Sequence, residues 1–429
     1  MKKLLAILLA TLLLLSLVAC GRDTEDPAAG ETGTDTTAPA DTTPAPTPTP
    51  DNTDDGDDEG DGGDEGTPPA DDDGDIETVT VELNKNTKGI KFFGERRIMS
   101  DTQINLDHSG SGIEFVLRNT SLSLAIEANS SAPCRFKVFV NGNLFESPLG
   151  DEYYEINGKS IISLSGLPLG NVTIRLVKIT EAALATAELT KMTFSGILSS
   201  STPADEDLYI EFVGGAETVG TGLVAGEGYA AQDVTKAYSH LLAEELDADY
   251  AITSFGNAAL TSIADVAALY AKASPVRDAA AEYAFTRKAD LVVVDLGAVD
   301  AVLSATDETV TPAAFAEKYE ALLTAIRAKN GEDCKIVCVY TSAMGDFGTA
   351  VVNTCRVELG GQPEGFYNCQ MAMGEDKALD ADERAAFLTL LETIAEAALE
   401  GTITERELST GENGEGLKVD FKEDFVPVG

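Results

Sequence analysis

A chain of 429 residues with 73 acidic and 30 basic side chains carries a formal charge of −43. Such a surface repels nucleic acid and anionic lipid head groups, so neither is expected as a partner. Hydrophobic content of 43% is ordinary for a folded protein, Trp is absent, and only His108 and His240 are available for imidazole chemistry.

Lys2 and Lys3 precede an apolar run over residues 4–19, too short for a settled membrane helix and readable as an export signal. The run ends in Leu17-Val18-Ala19-Cys20, which resembles a bacterial lipobox. That resemblance implies cleavage before Cys20, diacylglycerol on its sulfur and anchoring to the extracellular face of the cell membrane by more than one acyl chain. A plain signal peptide or anchor that merely contains a cysteine is the alternative. Residues 21–75 are Asp, Glu, Thr, Pro, Gly and Ala with almost no large apolar side chains. They cannot bury enough surface to offset their ordering entropy and are expected to form a disordered acidic linker. Stretched, it reaches on the order of 180 Å; as a coil it averages roughly 40 Å. Its Asp51-Asn-Thr-Asp-Asp-Gly-Asp segment suggests a calcium loop, but Thr53 and Gly62 stand where acidic ligands belong, so a solvated spacer is the better reading.

From residue 76 to about 200 the chain gives short alternating runs, at 79–83, 113–117, 121–126, 136–140 and 172–177, separated by turn residues. Asn141-Gly142 is a strong hairpin signal. This spacing predicts an all-β sandwich of jelly-roll type. His108, just before one of these strands, reads as a turn or core histidine. From 205 to 400, strands at 208–213, 250–254, 291–296 and 335–340 alternate with helical patterns at 234–246, 315–330 and 382–399. That alternation predicts a three-layer α/β domain with a parallel sheet, whose sites form at the carboxyl ends of the strands. In residues 401–429, Leu417, Val419 and Phe421 alternate with charged residues, as an edge strand or a loose tail would.

Five cysteines remain besides Cys20, so at least one is unpaired within the chain. Cys334 and Cys338 bracket a strand-like run and would lie roughly 13 Å apart, too far for a bridge. They read as small buried side chains, with a pair such as Cys355 and Cys369 open. Neither zinc nor any cofactor is expected, since no Cys-x-x-Cys pair exists and no histidine is near.

The run Leu208-Tyr-Ile-Glu-Phe-Val-Gly-Gly-Ala-Glu-Thr-Val219 ends in glycines at a strand-to-loop corner, and around it the chain resembles an SGNH hydrolase of carbohydrate esterase family two. The matching pieces are Gly110-Ser-Gly-Ile-Glu-Phe115, Phe139-Val-Asn-Gly142 and Ile174-Arg-Leu-Val-Lys-Ile-Thr-Glu181 in the sandwich. In the second domain they are Leu269-Tyr-Ala-Lys-Ala-Ser-Pro-Val-Arg277, Ala289-Asp-Leu-Val-Val-Val294 and Gly297-Ala-Val-Asp300. The resemblance implies polysaccharide deacetylation by a serine at a Gly-Asp-Ser corner. It assigns oxyanion-hole or cleft positions to Gly215, Gly256, Gly297 and Asp300.

Three chemical positions depart from that pattern. The nucleophile is replaced by Ala216, the oxyanion asparagine by Val299, and the segment expected to carry the general-base histidine reads through Glu375 with no histidine after His240. His240 lies on a helical stripe and reads as a packing residue. Losing one oxyanion donor costs about 10²–10³ in turnover, and losing a nucleophile or base costs on the order of a millionfold in a protease where it was measured. The expectation is therefore a pseudoenzyme that binds polysaccharide. A structural or protein-interaction lipoprotein is the alternative from another class. An active acetylesterase, through a displaced serine such as Ser254, is a third, and a carboxylate-pair hydrolase using Glu217, Asp300, Glu375 and Asp376 a fourth. Tyr229, Tyr340, Phe347, Phe366 or Tyr367 lining an open cleft would favour sugar binding. Met344, Met371 and Met373 plugging it would favour the structural role.

Overall fold

The computed structural model describes residues 78–94, 100–118, 123–274, 276–354, 366–371, 381–400, 407–410 and 417–420. For residues 342, 366–371, 381–383, 407–410 and 417–420 the description covers the backbone only. The export signal with Cys20, the linker, Cys355, Met373 and Glu375 lie outside the described residues.

The alternating runs become, in chain order, β1 (Thr78–Glu82), β2 (Ile90–Phe93), β3 (Ile104–Leu106), β4 (Gly112–Arg118), β5 (Ser123–Ser130), β6 (Cys134–Val140), β7 (Asn143–Leu144), β8 (Tyr154–Ile156), β9 (Ser160–Ser165), β10 (Val172–Lys178), β11 (Ala187–Ser195) and β12 (Ile197–Leu198). One antiparallel sheet runs β1-β11-β5-β9 with β3 beside β11; the other runs β12-β4-β10-β6-β7 with β2 beside β4 and β8 beside β6. Period-two alternation sends Ile113, Phe115, Leu117, Phe136, Val138, Ile174 and Leu176 inward, where they meet Leu124, Ile126, Leu189 and Met192 of the opposite sheet. The hairpin expected at Asn141-Gly142 joins β6 to β7, and both residues take the left-handed conformation that such a tight turn requires (φ 51° and 78°).

The second architecture is a mixed sheet ordered β14-β13-β17-β18-β19-β20-β21. Its strands are β13 (Leu208–Gly214), β14 (Ala248–Ser254), β17 (Leu291–Asp295), β18 (Lys335–Thr341), β19 (Phe366–Met371), β20 (Glu407–Thr410) and β21 (Leu417–Asp420), with a separate hairpin of β15 (Lys272–Ser274) and β16 (Asp278–Glu282). Neighbours are parallel from β14 through β20, and β21 closes the edge antiparallel. Helices Tyr238–Glu245 and Ala381–Leu399 contribute to the apolar cluster that includes Ile210, Phe212 and Val293; helices Val266–Tyr270, Pro312–Asn330 and Asp346–Asn353 contribute to the one that includes Val213, Val292 and Val294. Alternate residues of β13 and β17 thus serve opposite faces of the sheet.

One expected element is broken. The helix anticipated over 234–246 is a 3-10 turn at Val234–Lys236 followed by a helix at Tyr238–Glu245. Asp233 accepts a hydrogen bond from Thr235 N and caps the first turn, and Ala237 is extended (φ −79°, ψ 150°), which interrupts the helical hydrogen-bond ladder. Cys134, Cys334 and Cys338 are buried.

The sandwich and the α/β layers share a core. Phe93, Val177 and Ile179 from the sandwich join Tyr238, Tyr250 and Phe212 in one apolar cluster. Around it the outward face of the second sandwich sheet carries cations. Lys91 Nζ lies 2.7 Å from Asp249 Oδ1, and Lys137 Nζ 2.7 Å from Asp233 Oδ2, with all four side chains less than a tenth exposed. Arg287 also reaches Asp249 at 2.6 Å. Arg135 donates to Ala230 O at 3.0 Å and lies 3.8 Å from the Tyr153 ring centroid. In the other direction Arg277, in the turn between β15 and β16, binds Asp107 through Nη2 at 2.8 Å and Glu188 through Nη1 at 3.2 Å. His108 Nε2 donates to Ala273 O at 2.8 Å, so it is an inter-layer contact.

Removing one partner of a buried pair leaves an uncompensated charge, which costs about 3–5 kcal/mol. Lys137→Met is therefore expected to lower stability by about 3 kcal/mol and to shift one unfolding transition as a whole. Urea unfolding followed by far-ultraviolet circular dichroism and tyrosine fluorescence checks this. Two separated transitions would contradict a shared core.

Candidate functional site

The parallel register brings Ser254, Gly214 and Asp295 into one row at the carboxyl ends of β14, β13 and β17. Immediately beyond that row β13 turns a corner through Gly215, Ala216 and Glu217. Glycine is required at 214: a β-carbon there would stand 2.0 Å from Thr218 Oγ1. At 215 a β-carbon would come 3.3 Å from Gly256 O, so Gly256 lies directly beside the corner. Phe255 N donates to Gly214 O at 2.9 Å and Thr221 N donates to Ala216 O at 3.0 Å, fixing the corner to its two flanking loops. Gly215, Ala216, Ser254, Gly256, Asp295 and Val299 are half-buried and Glu217 is exposed, so solvent reaches this end of the sheet.

A side chain from the sandwich completes the site. The chain leaving β10 places Glu181 beside the corner, 6% exposed, where it accepts from Gln232 Nε2 at 3.0 Å and from Ser254 Oγ at 3.3 Å. Gln232 returns a second bond, its Oε1 accepting from Glu181 N at 2.8 Å, and its Nε2 also donates to Thr221 Oγ1 at 3.1 Å. Ser254 Oγ in turn accepts from Gly256 N at 2.9 Å. Lost hydration raises the Glu181 pKa, and its hydrogen bonds to Gln232 and Ser254 pull it back down. Nearby, the fully buried Lys178 donates to Asp107 O at 2.8 Å and to Thr180 O, and burial lowers its pKa.

On the other side of the corner, Tyr238 Oη donates to Asp295 Oδ2 at 3.2 Å and shares a 2.9 Å hydrogen bond with Thr218 Oγ1. Asp295 is pushed up to about 7, first by lost hydration and second by the charge of Glu217, with the Tyr238 hydrogen bond opposing both. Asp295 and Glu217 thus lie close enough to interact, and Glu181 reaches the same end of the sheet through Ser254.

Comparison with protein-family models and with curated protein sequences gives no match. Among solved structures the chain is similar to a family two carbohydrate esterase from Clostridium thermocellum in complex with cellohexaose, at 21% identity and TM-score 0.62, covering 73% of this chain and 99% of that one. It is similar to a family two carbohydrate esterase from Cellvibrio japonicus at 16% identity and TM-score 0.64, covering 76% and 100%. An acetyl xylan esterase from the rumen bacterium Butyrivibrio proteoclasticus matches at 16% identity and TM-score 0.63, covering 75% and 99%. The fold is that of the family two carbohydrate esterases. Nearly the whole of each esterase is matched, sandwich and SGNH-type α/β layers together.

Within this esterase-like fold the sequence-derived positions separate into two groups. Gly215, Ala216 and Gly256 converge at the corner. Asp300 faces away from it: buried, its carboxylate accepts from Leu260 N at 2.8 Å, Thr261 N at 2.9 Å and Thr261 Oγ1 at 2.7 Å, and so holds the neighbouring loop. Gly297, at φ 115°, is covered by Met344 and Phe315, whose atoms would lie 2.6 and 2.8 Å from a β-carbon there. Tyr340, Met344 and Phe347 are all less than a tenth exposed in the core cluster around Phe315, so none of the three lines an open cleft. Tyr229 is half-buried and donates to Glu155 Oε1 at 3.1 Å. His240 packs in its helix with Nδ1 2.8 Å from Tyr250 Oη and Nε2 3.1 Å from Glu244 Oε1, so both ring nitrogens are engaged. Glu375 and Met373, and the side chains of Phe366, Tyr367 and Met371, lie outside the described residues. Among the described residues no cluster of His, Cys, Asp or Glu could hold a metal ion.

Sequence reasoning passed over Glu181, Gln232 and Asp295. Asp295 carried a signal, an acid closing an apolar strand run at a carboxyl end. Its raised pKa has a thermodynamic consequence. The native state retains a proton that the unfolded chain releases, so this contribution to stability is complete in acid and is lost as pH rises through about 7. Asp295→Asn is expected to melt close to the parent at pH 4 and a few degrees above it at pH 8. Calorimetry at both values checks this; a difference independent of pH would place the carboxyl in the ordinary range.

Proposed function

We propose that this protein is a glycan-binding pseudoenzyme built on an esterase fold, with a jelly-roll sandwich in front of the α/β layers and a lipid anchor on Cys20 that holds it at the extracellular face of a bacterial membrane. The observation that carries the reading is the state of the corner. Ala216 presents a methyl group where an ester hydrolase of this fold would need an attacking oxygen. Val299 offers no donor, and the Gly256 N–H is already bonded to Ser254 Oγ. An incoming acyl group would therefore meet neither a nucleophile at 216 nor an unoccupied donor at 256. Ser254 itself lacks an imidazole beside it: its hydrogen-bond partners are Glu181 and Gly256.

Support for a glycan ligand comes from the neighbours. One similar esterase structure holds cellohexaose, and another is named an acetyl xylan esterase. The half-buried rim and the polar network of Glu181, Gln232, Ser254 and Asp295 offer the hydrogen-bonding groups a sugar uses. A second reading, a structural or protein-interaction lipoprotein, draws on Met344, which is buried against Gly297 and Phe315 as apolar filling.

The purified protein is expected to release no acetate above the buffer rate from p-nitrophenyl acetate or acetylated xylan. It is also expected to be retarded in native gels cast with soluble polysaccharide. Sustained turnover would overturn the pseudoenzyme reading, whereas absence of both turnover and retardation would leave the structural role.

A further inference from the structure

The sandwich ends on an edge that lacks the usual protection against a further strand. Strand β9 closes the sheet β1-β11-β5-β9, and its residues Ser160-Ile-Ile-Ser-Leu-Ser165 pair with β5 from Ser123↔Ser165 to Ala128↔Ser160 without a bulge. In the same register Ser130 N donates to Gly158 O at 3.2 Å, which makes that pair a hydrogen-bonded one. Such pairs alternate along an antiparallel ladder, so Ser160, Ile162 and Leu164 direct their backbone groups at β5. The N–H and C=O groups of Ile161, Ser163 and Ser165 point away from it, and among the described residues no other backbone group is bonded to them. The side chains of these three residues are exposed on the outer face of the sheet, whereas Ile162 and Leu164 are buried in the sandwich core. Native proteins blunt sheet edges with charge, proline or a bulge. Strand β9 has none of these, while the opposite edge strand, β1, carries Glu82.

Charge decides what can dock there. Although 73 of the 429 side chains are acidic, none lies between Glu155 and Glu181, and the only charged side chain over residues 156–174 is Lys159. A second copy can therefore meet this edge without setting carboxylate against carboxylate, while the net charge of −43 on each chain disfavours contact elsewhere. The strand is also its own complement. An antiparallel copy about a two-fold axis at Ser163 places Ile161 opposite Ser165 of the second copy and Ser163 opposite its own counterpart. Each of the three residues then donates one backbone hydrogen bond across the axis and accepts one, and every exposed side chain stays on the outer face. A register one residue away would set outer-face side chains beside core-face ones. We propose that two copies of this chain associate through β9 about that axis, joining their sandwich sheets edge to edge. The inference does not depend on the glycan reading.

The test uses the full chain in a nonionic detergent. Directly opposite residues of an antiparallel pair have β-carbons about 4.5–5.5 Å apart, within reach of a short thiol cross-linker. Ser163→Cys is expected to give a covalent dimer above the background of the parent chain. Thr193→Cys, in the same row of the outer face but two strands in from the edge, is expected to give none. Sedimentation of the parent chain is expected to show a monomer–dimer equilibrium that tightens about tenfold as salt rises from low to physiological strength, because screening relieves the repulsion between two acidic bodies. Ser163→Pro removes an N–H that β5 does not use, so the fold is retained by circular dichroism and the dimer weakens about tenfold or more. A parent chain that stays monomeric at every salt concentration overturns the proposal. So does a dimer that folded Ser163→Pro leaves intact, or equal cross-linking through the two cysteine variants. If Ser163→Pro does not fold, the cysteine pair decides alone.

Discussion

The structure depends on one surface of one sheet. In β2, β6 and β10 the inward residues are apolar and form the sandwich core, while the alternate set, Lys91, Phe93, Arg135, Lys137, Phe139, Arg175 and Val177, faces the α/β layers or their margin. This second set is amphipathic in a specific sense: aromatic and branched carbons join the shared core, and ammonium groups reach carboxylates beyond it. Asp249 and Asp233 are the acceptors for Lys91 and Lys137. Burying such pairs brings little net stability, because desolvation offsets most of the Coulomb attraction. Their effect is on register. A lysine only 5% exposed can be tolerated only where its carboxylate waits, so the sandwich docks in one orientation.

That fixed orientation is what gives the site its third wall. Glu181 follows β10 directly and reaches Ser254 across 73 positions of sequence. Without a rigid interface, a carboxylate on a connecting segment would not be held against β14. The backbone of the corner is set by packing. Gly214 is demanded by Thr218, and a side chain at Gly215 would need the Gly256 carbonyl to give way by a few tenths of an ångström. At Ala216 the corner is held through the carbonyl oxygen, which accepts from Thr221 N.

Much of this was legible in the residues. Leu208–Gly214 declares itself by an uninterrupted apolar run ending in two glycines, and Asn141-Gly142 by its need for positive φ. Thr311 and Pro312 announce the helix Pro312–Asn330, in which Thr311 accepts from Ala314 N. What escaped has physical causes. Alternation says that a strand has two faces, without saying what covers the second, so nothing in the runs marks Lys91 and Lys137 as buried. The break at Ala237, where the backbone is extended between the capped turn and the helix, leaves no mark in the apolar stripe that runs through both. Glu181 and Gln232 meet only through tertiary folding, and no spacing rule pairs a residue at a strand exit with a glutamine 51 positions on.

The charge of the chain bears on the same site. Among the described residues Lys91, Lys137 and Lys178 are buried, but so are Asp107, Glu181, Glu211, Asp233, Asp249 and Asp300, so burial takes little from the acidic excess of −43 that faces solvent. Acidic polysaccharides would be repelled before reaching the corner, over a distance set by the screening length of about 8 Å at physiological salt. At the corner itself Glu181, Asp295 and Glu217 repeat the exclusion at close range, because an anion there would add a like charge to groups already short of hydration. A neutral polyol avoids both penalties. Within the glycan reading, the long-range field and the short-range repulsion at the corner therefore favour the same ligand chemistry, an uncharged chain.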